Sequence, residues 1–93
     1  MRVVLDQVIQ TAMKVAEGQL TAREGITILA TLTPQALAAA RELRESERDR
    51  AVAYRELILA IGGELRRHQP TSNEPRHLGA VIDDLDRVQR ALR

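Results

Sequence analysis

Between Gln35 and Gln69 the chain has no proline, and a basic–acidic dipeptide recurs every seven residues, at Arg41-Glu42, Arg48-Asp49 and Arg55-Glu56. Small or apolar residues keep a 3–4 spacing beside it: Leu37, Ala40, Ala51, Tyr54, Ile58, Ile61 and Leu65. Seven residues make nearly two turns of α-helix, so each repeat returns to one face. Such a segment reads as a long helix packed along its length on other helices. That places the chain in the all-α class.

Thr33-Pro34 has the form of that helix's start, with Thr as N-cap and Pro at the first helical position, where a missing N–H does no harm. Its interior offers two readings. Ser46-Glu47-Arg48-Asp49 resembles a further cap that would divide the run. Against this, the seven-residue register passes through Ser46 without a slip, and neither Gly nor Pro marks a turn. The expectation is therefore one long helix that kinks or ends at Gly62-Gly63, with Arg66 and Arg67 suited to its last turn. Arg44 and Glu47 fall on its apolar seam, where a buried polar residue can fix register or oligomer state at a cost in stability.

The flanking segments are clearer. Val4, Leu5, Val8, Ile9, Ala12, Met13 and Ala16 give a wide apolar face, predicting a helix over 3–17 that Gly18 stops. Thr21 and Glu24 then form a capping box for a short second helix carrying Ile26, Ile28, Leu29 and Leu32. Residues 68–75, His-Gln-Pro-Thr-Ser-Asn-Glu-Pro, read as a turn-rich linker. A last helix follows over about 75–91, with Leu78, Val81, Leu85, Val88 and Leu92 at unbroken 3-4-3-4 spacing. A helix of that length is marginal alone in water, so it must dock on something.

The core has to be assembled without large rings, because Phe and Trp are absent and Tyr54 is the only aromatic residue. A chain of 93 residues is one domain at most, and it buries only about two-thirds of its unfolded surface. A second copy or a partner that covers leftover apolar surface would stabilise it substantially. The formal net charge of +1 implies no bulk attraction to nucleic acid or anionic lipid. Cysteine is absent, which removes disulfide, iron–sulfur and thiol chemistry and fits a reducing compartment. No run approaches the ~18 apolar residues of a membrane span, so the cytosol is the expected location.

Candidate chemistry is sparse. Arg41, Arg48 and Arg55 share one heptad position and form a rail beside the seam, either a solvated flank neutralised by Glu42, Asp49 and Glu56 or a docking edge for an acidic helix or phosphates. His68 and His77 lack the further ligands a metal site needs. Asp83, Asp84 and Asp86 read as a solvated face or as mates for arginine. No phosphate loop, nucleophile–base set or zinc-type helix motif occurs, so neither catalysis nor a cofactor is expected.

Two stretches carry family resemblances. Leu20-Thr21-Ala22-Arg23-Glu24 resembles the opening of the helical DNA-binding domain of response-type regulators, and Ser46 falls about where a recognition helix begins in that family. The turn before it would be Glu42-Leu43-Arg44-Glu45, without Gly, and the recognition helix would open on acids that repel phosphate. Residues 7–45, with Glu17-Gly18-Gln19-Leu20-Thr21, Glu24, Ile28-Leu29 and Ala38-Ala39-Ala40-Arg41-Glu42-Leu43-Arg44, resemble the N-terminal helical lead of biotin-synthase-like radical enzymes. Those enzymes act through a cysteine cluster, and with no cysteine here that activity does not carry over.

The resulting expectation is an all-α bundle of four helices, five if Ser46 opens a new one, forming a single helical domain over residues 1–93. Functionally it is a non-enzymatic, self-associating helical adaptor, inhibitor or accessory subunit. Its partner is itself or another helical protein, engaged through Leu37, Arg41, Arg44, Arg48, Ala51, Tyr54, Arg55, Ile58, Leu78, Leu85 and Val88. The alternative is a small helix-turn-helix-like DNA-binding regulator that dimerises through its last helix.

Overall fold

A computed structural model describes residues 2–71 and 74–93. It contains α1 (Arg2–Ala16), α2 (Ala22–Ser46), α3 (Arg48–His68) and α4 (Pro75–Ala91), with one 3₁₀ turn, Gln69–Thr71, before α4. No strand occurs among the described residues, and the four helices bear out the all-α expectation. Ser72 and Asn73, in the expected linker, lie outside the described residues.

The α1–α2 turn forms as the sequence predicts. Gly18 adopts φ +78°, a conformation that costs an L side chain about 1–2 kcal/mol. The Lys14 carbonyl accepts from the amides of Gln19 (2.8 Å) and Leu20 (3.1 Å), which closes the end of α1. The Thr21 hydroxyl accepts from the Glu24 amide at 3.1 Å, and the Thr21 amide donates to Glu24 Oε1 at 3.2 Å.

Three expected boundaries are corrected. Thr33-Pro34 does not start a helix: both lie inside α2, and the Thr33 hydroxyl donates back to the Leu29 carbonyl at 2.6 Å instead of capping. An internal proline normally costs about 3 kcal/mol. Here Pro34 and the Ala30 carbonyl it leaves without its usual helical donor belong to exposed residues, while Leu29, Thr33 and Ala36 on the opposite stripe are buried. Water can serve the carbonyl, and packing holds the helix together. The long central helix also does not run through Ser46. It divides at Glu47 (φ −139°, ψ 73°), giving helices of 25 and 21 residues. Gly62-Gly63 neither kinks nor ends α3, which continues to His68.

Contacts fix the directions. Gly25 of α2 lies against Val15 near the end of α1, so α1 and α2 are antiparallel. Tyr54 reaches Asp6, and Ala60 shares a groove with Met13, so α3 runs alongside α1 in the same direction. Arg66 meets Asp86 while Arg55 lies beside Leu92, so α4 runs back along α3. The most extensive helix pair is α2–α4. The order around the bundle is thus α1–α2–α4–α3, within 40 × 22 × 18 Å.

Leu5, Val8, Leu29, Ile58, Leu65, Val81, Leu85, Val88 and Leu92 form the centre, each less than 2 % exposed or at that limit. Burying a Leu, Ile or Val side chain fully is worth about 1.5–3 kcal/mol. Ala36, Ala39 and Ala40 of α2 are also buried in this core, which is filled without large rings. Among the described residues, no helix is long and apolar enough to cross a membrane.

Candidate functional site

The division at Glu47 rearranges the arginine rail. Arg41 stays on α2, exposed and apart. Arg44 from the last turn of α2, Arg48 from the first residue of α3 and Arg55 two turns on converge instead with Val52, Leu92 and Arg93 around a recess of about 290 Å³. Arg44 has Glu45 at 3.9 Å, a solvent-exposed contact of little energetic weight. Among the described residues Arg48, Arg55 and Arg93 make no ion pair. The Arg55 Nε is buried and has no acceptor. The recess thus brings four arginines together around Val52 and Leu92.

The expected seam residues divide into two sets. Ala51, Ile58, Leu78, Leu85 and Val88 are 0–4 % exposed and face the chain's own core, so this conformation does not offer them to a partner. Leu37 and Tyr54 are half-buried, and the Tyr54 hydroxyl donates to Asp6 Oδ1 at 2.8 Å. Sequence reasoning missed Val52, Leu57 and Leu59, the exposed apolar residues on the outer sides of α3 (40 %, 51 % and 40 %). Their signal is legible in retrospect: each lies off the inward stripe of Ala51, Ile58, Gly62 and Leu65.

A second groove, about 340 Å³, lies between Met13, Ala16 and Glu17 of α1 and Ala60, Ile61 and Glu64 of α3. Met13 is 44 % exposed at its edge. Hydrogen bonds from Arg67 and then His68 (3.1 Å) hold the Glu64 carboxyl below its ordinary pKa, which places His68 in a surface pair. No group of three His, Asp or Glu converges among the described residues.

The acidic cluster on α4 meets arginines outside the rail. Asp86 accepts from Arg66 at 3.0 Å, and Asp84 lies 3.6 Å from Arg87. Burial pushes the Asp84 carboxyl above its ordinary pKa; Arg87 opposes that shift and Asp83 adds to it.

No protein-family model, curated protein or solved structure matches this chain.

Proposed function

We propose that the chain is a non-enzymatic helical interaction protein of the cytosol, a self-associating adaptor, inhibitor or accessory subunit whose partner is a second copy or another helical protein. The observation that carries this reading is the recess at the α2–α3 junction. Exposed Val52 lies there among Arg44, Arg48, Arg55 and Arg93, three of which have no ion pair among the described residues. An apolar contact point ringed by guanidinium groups, most of them without an ion pair among the described residues, suits a helix that presents a leucine or valine between carboxylates. Opposed charge speeds and orients such an encounter, and the covered apolar area holds it. Leu59, farther along α3, extends the contact beyond the recess.

Replacing Arg44, Arg48 and Arg55 together by Glu tests the surface, because Arg44 and Arg48 are exposed and Arg55 is half-buried at the rim of the recess. The expected result is unchanged helical circular dichroism with loss of partner capture and of self-association. Undiminished association would remove the recess from the account.

The same arginines support a second reading, a small DNA-binding regulator. Its supposed dimer contact, the α4 seam, is buried within the chain at Leu78, Leu85 and Val88. Glu45, Glu47 and Asp49 also stand among the arginines and would face phosphate. Duplex DNA retention that falls steeply with salt and disappears in Arg48→Glu/Arg55→Glu would establish it.

A further inference from the structure

The α2–α3 junction is a reversal made by one non-helical residue, and its surroundings are those of an uninterrupted helix. The Glu47 amide donates to the Leu43 carbonyl at 2.8 Å, and the Ala51 amide to the Glu47 carbonyl at 3.0 Å, both with the four-residue span of an α-helix. No side chain caps the start of α3. The amides of Arg48, Asp49 and Arg50 would acquire helical acceptors at 44, 45 and 46 if the two helices became one. Residues 44–50 include neither Gly nor Pro, and all seven are exposed, so the junction's own side chains lose no burial when it straightens. Leu43, Glu47 and Ala51 remain on one face in a continuous helix, because each lies four residues from the next.

We propose that this junction opens into a single helix and that the chain dimerises by exchange, with α3–α4 of each copy packed on α1–α2 of the other. The inference rests on the self-association reading and specifies its partner as a second copy. Each half is held by its own contacts: α1–α2 by Gly18, the Thr21–Glu24 box and the Gly25–Val15 approach, α3–α4 by the Arg66–Asp86 pair. Once separated, each half presents the apolar face it had buried, including Ile58, Leu65 and Leu85 on one side and Leu5, Val8 and Leu29 on the other. The face that complements Ile58 and Leu85 in detail is the one they already pack against, supplied by another molecule. Exchange re-forms every such contact and alters only the hinge, which is why short hinges favour it. The seam residues expected from sequence to form an interface, Ala51, Ile58, Leu78, Leu85 and Val88, then line the join between copies as well as the core.

The chain has no cysteine, so introduced pairs report cleanly. Asp6→Cys/Tyr54→Cys bridges α1 and α3, and Arg66→Cys/Asp86→Cys bridges α3 and α4. Each variant is concentrated, separated into monomer and dimer by size exclusion with light scattering, treated with a short bis-maleimide and run on a denaturing gel. In the dimer the α1–α3 pair should link two chains, while the α3–α4 pair should link within one. Inserting Gly-Gly-Ser-Gly between Ser46 and Glu47 should weaken dimerisation at least tenfold and leave the monomer folded. A dimer whose two cysteine pairs both link within single chains overturns exchange and leaves surface self-association standing. A monomer at every concentration overturns both.

Discussion

The chain reverses twice within its first three helices, by opposite means. Between α1 and α2 the reversal is enforced: Gly18 takes a left-handed conformation, two amides return to the Lys14 carbonyl, and a reciprocal capping box starts the next helix. Between α2 and α3 none of these devices is present, only Glu47 and a run of exposed polar residues. A helix can therefore be ended by local chemistry that forbids continuation or by a lack of anything to pack on. Only the first kind is held by contacts of its own. The second leaves a latent continuous helix whose state depends on what covers the faces on either side.

The largest expected effect is at the enforced turn. A Cβ on Gly25 would lie 2.5 Å from Val15 Cγ2, on a side chain with little rotamer freedom. Gly25→Val should therefore lose about 2 kcal/mol in urea denaturation as α1 is pushed from α2. The caps give the direct contrast. Thr21→Ala should cost about 1 kcal/mol, because it leaves the Glu24 amide without its acceptor. Glu47→Ala, which removes no cap, should stay within about 0.5 kcal/mol under conditions where the protein is monomeric. Equal losses at the two junctions would break the comparison.

Gly63 tests how weakly α3 is held as a helix. A Cβ there meets nothing within 4 Å, and the position has ordinary helical geometry. Gly63→Ala should raise stability by about 0.5–1 kcal/mol, the helix propensity difference alone. The smallest effect concerns pH. Burial raises the Asp84 pKa in the folded protein, so the folded state holds that proton more tightly than the unfolded chain. Stability therefore falls as pH rises from the ordinary carboxyl range through the raised value, and the penalty is complete above it. Asp84→Asn should remove this slope, with only a small gain at neutral pH because the carboxyl is partly exposed and screened by solvent. Denaturation midpoints between acid and neutral pH check the sign.

The same contrast explains what the sequence disclosed. Gly18, Thr21 and Glu24 act through hydrogen bonds that span no more than six residues, so the first turn was readable from order alone. The α4 seam was equally plain, because Leu78, Val81, Leu85, Val88 and Leu92 repeat without interruption and all are buried. Thr33-Pro34 misled because a capping pattern states a local preference, and burial of Leu29, Thr33 and Ala36 against other helices outweighs it. The break at Glu47 was concealed by an intact register. Its trace is the uninterrupted polar run Arg44–Arg50, a full heptad with nothing to bury, which the regular charge repeat disguised as a helix surface. The recess was out of reach for a related reason: Arg44, Arg55 and Arg93 become neighbours only once that run folds back.

The most direct test is an electron–electron distance between spin labels at Arg23→Cys and Arg67→Cys, exposed positions near the start of α2 and the end of α3. Labelled chains are diluted into unlabelled protein so that only distances within one chain remain. Folding back at Glu47 keeps the labels well under ~40 Å apart, whereas one continuous helix over those 44 residues separates them by about 66 Å at 1.5 Å per residue. The account predicts the short distance in dilute protein and a second population near the long one that grows with total concentration. A long distance at every concentration would contradict the fold, and a short one at every concentration would contradict the opening of the hinge.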